Sequence, residues 1–184
     1  CFGKGRAGDA AALKALGARY GVAVTIAEAV NLDDASGKIS STNVRNALRE
    51  GDVKTAAALL ERPFAIEGVV SKGDQRGRLL GFPTANIGLG EYLRPKFGVY
   101  AVRAHLPSGD SVAGVANLGS RPTVQGTEAR LEAHLFDFEA DLYGQILEVD
   151  LIDFIRPEQK FDGLDALTAQ IAADSATARE MLGV

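Results

Sequence analysis

The run GVYAVRAHLPSGDSVAGVANLG (98–119) alternates with a period of two. Tyr100, Val102, Ala104 and Leu106 share one face, and Arg103 and His105 take the other, as a half-buried strand requires. PSGD (107–110) is a strong turn, and SVAGVANLG returns as a second strand, so the run predicts an antiparallel hairpin. Working outward, EARLEAHLF (128–136) alternates again: Ala129, Leu131, Ala133 and Leu135 form a core face, and Glu128, Arg130, Glu132 and His134 the other. FAIEGVV (64–70) and ILEVDLIDFI (146–155) are further strands. Successive strands joined by turns predict a mainly β protein, an antiparallel barrel.

Helices flank that set. GLDALTAQIAADSATAREML (163–182) reads as a helix with Leu164, Leu167, Ile171, Ala178 and Leu182 on one stripe. Upstream of Pro63 the texture is α/β. A helix is expected over 8–20, a buried strand over VAVTIAEAV (22–30), and a turn-rich loop over 31–40. Ser41 or Thr42 then caps a short helix ending at Gly51, and Asp52 caps another over 52–61. The boundary is placed near Pro63, giving an α/β segment 1–62 and a barrel with its helix at 63–184.

Bulk composition narrows the function classes. The net charge of −4 supplies no global basic field to draw the protein to nucleic acid. Cys1 is the sole cysteine, so no disulfide can form within the chain, which fits a cytoplasmic setting. No apolar run has the roughly 20 residues that a membrane span needs. Glycine is over-used, 21 residues against about 13 at average usage. That surplus favours tight turns and close backbone approach. The sequence opens on Cys and its one methionine is Met181, so a piece of a longer protein is expected.

Three segments carry chemistry. GKGRAG (3–8) matches G-x-G-x-x-G with Glu28 at the spacing of a dinucleotide fingerprint, but only Cys1 and Phe2 precede it. Without a strand to aim a phosphate, a basic turn before a helix is the better reading. SKGDQRGRLLGFPTAN (71–86) combines Gly73, Gly77 and Gly81 with Lys72, Arg76 and Arg78. It suits either a mobile hairpin connection or a loop whose N–H groups and arginine forks grip phosphates. Thr84 and Asn86, two residues apart beside Pro83, offer a hydroxyl and an amide oxygen on one side of an extended segment. They fit a hard cation such as Mg²⁺, although on these residues alone a turn closing the loop is the better reading. Glu132 is placed to accept a proton from an attacking alcohol, although a lone glutamate on a strand is commonly just solvated. His105 and His134 read as hydrogen-bonded strand residues, since no third ligand stands at a metal spacing.

Five ordered blocks, GRLLGFPTANI, FGVYAVRA, ANLGSRPTV, LEAHLFDFEADLYG and FIRPEQKFDGLDAL, resemble the riboflavin kinase module of bacterial bifunctional FAD synthetases. FGKGRAGD and ISSTNVRNALREGDVKTAAALLERPF are similar to the closing part of that family's FMN adenylyltransferase module, so the resemblance covers essentially the whole chain. It implies a six-stranded antiparallel Greek-key barrel with a C-terminal helix, preceded by an α/β remnant of a nucleotidyltransferase domain. It implies ATP-dependent phosphorylation of riboflavin at the ribityl 5′-hydroxyl, giving FMN and ADP. By the same resemblance Thr84 and Asn86 would take the Mg²⁺ of ATP and Glu132 would be the base. Gly73, Gly77, Arg78 and Gly81 would lie in the ATP-binding loop, and Asn117 and Arg156 near flavin or nucleotide. Ser40, Ser41, Thr42 and Arg45, in ISSTNVR, would be a remnant adenylyltransferase motif. FMN adenylylation is expected to be absent from the chain as given.

Two other classes compete: a flavin-binding barrel that transfers nothing, and a barrel binding nucleic acid through Lys72, Arg76, Arg78, Arg94 and Lys96. The second is disfavoured, because those loops carry few aromatics (Phe82, Tyr92 and Phe97) on which bases could stack. Small-molecule substrates, no nucleic-acid partner and no membrane association are therefore expected, with the oligomeric state left open.

Overall fold

The 98–119 run forms its hairpin: β3 (Gly98–His105) pairs antiparallel with β4 (Ser111–Thr123), Gly98 facing Leu118 and His105 facing Ser111. The computed structural model describes residues 2–27, 39–73, 77, 80–123 and 126–184. In it β1 (Phe64–Val69), β2 (Ala85–Gly88), β5 (Gly126–Leu135) and β6 (Ile146–Pro157) complete one six-stranded sheet in the order β1-β6-β3-β4-β5-β2. Every pairing is antiparallel. The sheet curls until β1 and β2 come together. They form no ladder; an isolated bridge between Ser71 and Asn86 closes the gap, with the Ser71 N–H donating to the Asn86 carbonyl at 2.8 Å. The architecture is a near-barrel.

Alternation places the core as the sequence predicts. Tyr100, Val102 and Ala104 on β3 and Ala129, Leu131, Ala133 and Leu135 on β5 join one buried cluster with Ile66, Ile87, Leu147, Val149 and Leu151. Burying a leucine-sized side chain contributes about 1.5–3 kcal/mol, so this face dominates the stability of the sheet. Tyr100 is fully buried and donates its hydroxyl to the Lys96 carbonyl; burial pushes that hydroxyl's pKa well above the ordinary phenol value.

Outside the barrel, the other face of the hairpin is not open to water. Val99, Ala101, Ala113 and Val115 pack with Phe136 and with Ala178 of the C-terminal helix (Leu164–Leu182). Of that helix's expected stripe only Leu164 is exposed; Leu167, Ile171 and Leu182 are half-buried and Ala178 is buried, and Asp174 is buried on the same side.

The chain divides into two compact units, Cys1–Ile39 and Ser40–Val184. The division precedes the expected boundary at Pro63, because two helices upstream of it share the barrel's core. These are α2 (Ser41–Glu50) and α3 (Val53–Leu60), which add Leu48, Val53 and Ala56 to the main cluster. The cap of α2 is Ser40, one residue before the expected Ser41 or Thr42; its hydroxyl accepts the Asn43 N–H at 3.2 Å. Asp52 caps α3 as predicted, accepting from Thr55 N–H at 3.0 Å. In the first unit α1 (Ala10–Tyr20) is capped by Asp9. The strand expected over 22–30 is not formed at 22–27, where Val22 and Ile26 are exposed; the rest of it, with Glu28, lies outside the described residues. GKGRAG closes into a turn by paired backbone bonds between Phe2 and Gly8 (3.0 and 2.9 Å), in line with the bland reading of that motif.

Candidate functional site

One rung of the sheet organises the candidate residues. Asn86 on β2 faces Glu132 on β5, Glu132 faces Asn117 on β4, Asn117 faces Val99 on β3, and Val99 faces Arg156 on β6. Directly opposed residues put their side chains on the same side of the sheet. Because Leu131 and Ala133 point into the core, this rung lies on the outer face, and Glu132 is exposed there.

Two cavities meet at Thr84. The first, about 440 Å³, is lined by Gly73, Pro83, Thr84, Asn86 and the 138–143 loop. The second, about 350 Å³, lies between the outer face and the C-terminal helix; Gly77, Thr84, Asn117, Glu132, His134, Arg156, Leu167 and Ile171 line it. The exposed wall of the first is the more polar, that of the second the more apolar. Thr84 therefore sits on the wall between two spaces, with Asn86 on one side and Glu132 on the other.

Local geometry fixes this wall. Asn86 is only 5% exposed, and its Nδ2 donates to Thr84 Oγ1 at 3.2 Å and to the Thr84 carbonyl at 3.3 Å. Gly73 packs on the same carboxamide so closely that a Cβ there would overlap it. Behind Thr84, His134 Nδ1 meets the Pro83 carbonyl at 2.9 Å. Gly77 receives the Phe82 and Leu80 N–H groups on its carbonyl at 2.8 and 3.1 Å, which tightens the turn before Pro83.

Arg156 is committed within the protein. Its Nε and Nη2 grip Asp174 at 2.8 and 2.7 Å, and its Nη1 donates to the Pro157 carbonyl at 3.0 Å. Asp174 is 4% exposed and also accepts from Gln170 at 2.9 Å. This bidentate pair fastens the C-terminal helix to β6 at the floor of the second cavity. Asn117 Nδ2 lies 3.5 Å from Glu158 Oε1.

Of the expected residues, Gly77, Thr84, Asn117, Glu132 and Arg156 thus line the second cavity, and Gly73, Thr84 and Asn86 the first. Gly81, in the left-handed region at φ 86°, lines neither. Arg78 and Arg76 lie outside the described residues. Ser40, Ser41, Thr42 and Arg45 line neither cavity; they lie at the cap and in the first two turns of α2, with Arg45 Nη2 at 3.5 Å from Thr42 Oγ1. Sequence reasoning missed Asp174 and the 138–143 loop. A signal for the first was present: positions 167, 171, 174 and 178 share one helical face, so an aspartate there calls for a buried cation.

A curled six-stranded antiparallel sheet with an outer helix, and a wall of hydroxyl, carboxamide and carboxylate between two cavities, make this a small near-barrel with a two-sided polar site. The family model "Flavokinase: Riboflavin kinase" matches residues 60–182, and the chain belongs to the riboflavin kinase family. The bifunctional riboflavin kinase/FMN adenylyltransferase of Escherichia coli strain K12 is 46% identical over 183 residues, covering 100% of this chain and 58% of the relative. The protein of the same name from Pseudomonas fluorescens is 45% identical over 181 residues, 98% of this chain and 57% of the relative. A crystal structure from Streptococcus pneumoniae, described as a macrolide-efflux protein, superposes with a TM-score of 0.78 at 39% identity, over 92% of this chain and 54% of that one. Among the described residues no helix is long and apolar enough to cross a membrane. The chain spans a little over half the length of these relatives.

Proposed function

We propose that this chain phosphorylates riboflavin at its ribityl 5′-hydroxyl with ATP, releasing FMN and ADP. The observation that carries the reading is the position of Thr84, shared by two cavities, with Asn86 opposed to Glu132 across the adjoining ladder. The polar cavity takes the nucleotide phosphates, and the cavity beneath the helix takes the flavin, with its apolar Leu167, Ile171 and Val115 against the ring system.

The donor set fits Mg²⁺. Thr84 supplies two neutral oxygens to which one amide donor of Asn86 is already held, and turning that carboxamide half a rotation presents Oδ1 in place of Nδ2. When bound, the ion would offset charge on the transferring phosphoryl group. Thr84 and Asn86 would hold it, and the Gly73 backbone leaves room for the Asn86 side chain. Glu132 accepts the proton of the attacking hydroxyl from the second cavity. Phosphoryl transfer requires little covalent chemistry of the protein, so orientation across this wall is the main contribution of the chain.

Residues 1–62 we read as the closing part of an FMN adenylyltransferase module, the second activity in the relatives' name, with Ser40, Ser41, Thr42 and Arg45 as its phosphate-contacting motif. The kinase reading is tested by incubating the purified chain with riboflavin, Mg²⁺ and γ-labelled ATP. Label is expected in FMN. Unlabelled flavin after complete ATP exposure would refute it.

A further inference from the structure

We propose that His134 is a positioning residue, which sets the place of Thr84 relative to Glu132 by holding the peptide between Pro83 and Thr84. The inference rests on the kinase reading above and assigns a role that the reading itself does not need.

Residues 81–84 belong to no regular element, yet they carry the hydroxyl that the site depends on. The contact that ties the Pro83 carbonyl to the sheet comes from the His134 ring, Nδ1 to oxygen at 2.9 Å. A carbonyl can only accept, so Nδ1 carries the hydrogen and the tautomer is fixed. The ring itself is held on two sides. Phe82 meets it edge-on at 5.4 Å and 82°, and Phe136 at 5.9 Å and 76°. Phe136 is buried in the cluster beneath the C-terminal helix, so the ring is referred to a rigid part of the molecule.

Register completes the argument. Ala85 faces Ala133 and Asn86 faces Glu132, so Thr84 and His134 are the next opposed positions, just past the end of the ladder. There the backbone pairing of β2 stops. The imidazole replaces a missing ladder bond with a side-chain bond, one position from the end of β2 and two positions from Glu132 on its own strand. A turn free to shift by an ångström would separate hydroxyl and carboxylate, and such misplacement costs about a hundredfold in rate.

Three substitutions test this. His134→Asn keeps an N–H donor the same number of bonds from the backbone as Nδ1. His134→Gln places it one carbon further out, and His134→Ala removes it. With folding checked by thermal melting, the affinity for Mg²⁺·ADP is measured by calorimetry and kcat by riboflavin turnover. His134→Ala and His134→Gln are expected to lose about tenfold in Mg²⁺·ADP affinity, one hydrogen bond's worth, and at least that in kcat, while His134→Asn restores most of both. Alanine and asparagine variants that behave alike would overturn the assignment. So would imidazole ¹⁵N shifts in the unmodified chain showing the Nε2–H tautomer, a readout independent of any variant's folding. If the ranking holds for Mg²⁺·ADP but the unmodified chain transfers no phosphate, the kinase reading fails and the role of His134 stands.

Discussion

Asn86 and Glu132 oppose each other across the β2–β5 ladder, and Asn117 opposes Glu132 from the other side. The relationship is enforced by the core, since Leu131 and Ala133 flank Glu132 and are both fully buried. A slip of one residue would drive the carboxylate inward and the leucines out, a loss of several buried side chains at about 1.5–3 kcal/mol each. The geometry of the proposed site is thus held by hydrophobic alternation.

Gly73 tests how tightly the Asn86 carboxamide is held. A Cβ at that position would overlap the carboxamide, so Gly73→Ala must displace the side chain proposed to hold the metal. The expected result is a drop in kcat of about a hundredfold with a melting temperature close to the original. Equal loss of stability and activity would point to general disruption instead.

Thr84→Val keeps the side-chain shape and the backbone carbonyl but removes the hydroxyl oxygen. The Mg²⁺ concentration for half-maximal rate is expected to rise about tenfold or more, with riboflavin affinity measured in the absence of metal little changed. An unchanged metal requirement would remove the Thr84 hydroxyl from the ligand set.

Arg156 on β6 and Asp174 on the C-terminal helix make a pair in which the aspartate is buried and the guanidinium largely so. Asp174→Ala leaves a largely buried guanidinium uncompensated and is expected to cost about 3–5 kcal/mol in urea unfolding. Joint replacement, Arg156→Met with Asp174→Leu, is expected to recover most of that stability. If Arg156 instead served chiefly to bind ligand, Arg156→Met alone would leave stability unchanged.

Ser40→Ala removes the cap of α2, at a distance in sequence from both cavities. Stability is expected to fall by about 1 kcal/mol and riboflavin phosphorylation to stay the same. A large effect on kcat would show that the ISSTNVR segment contributes to the kinase.

Much of this fold could be read from alternation alone. The core faces of β3 and β5 follow directly from Tyr100–Val102–Ala104 and Leu131–Ala133–Leu135, because a buried face against water leaves a period of two in the sequence. Strand β2 left no such trace. It has four residues, and its Asn86 is buried by the chain closing over it through Ser71 and Gly73, a tertiary event. The error at 22–27 has the opposite cause: β-branched residues favour strands, but no strand in the described part of that unit pairs with them. The proposed Thr84–Asn86 pair was visible as a spacing, whereas the opposition of Asn86 to Glu132 depends on which strands become neighbours. Strand order is not written locally. Arg156 shows the same limit: the helical stripe turns its partner Asp174 inward, but which strand lies opposite that stripe is not written in the helix.

The most direct test of the central claim uses Glu132→Gln, which preserves size and removes the proton acceptor. In one preparation, riboflavin binding is followed by quenching of its fluorescence, and FMN formation by turnover with Mg²⁺·ATP. The account predicts binding within about threefold of the original and turnover reduced by about 10²–10⁴. Turnover that survives the substitution would contradict the role given to Glu132 and the two-cavity mechanism with it.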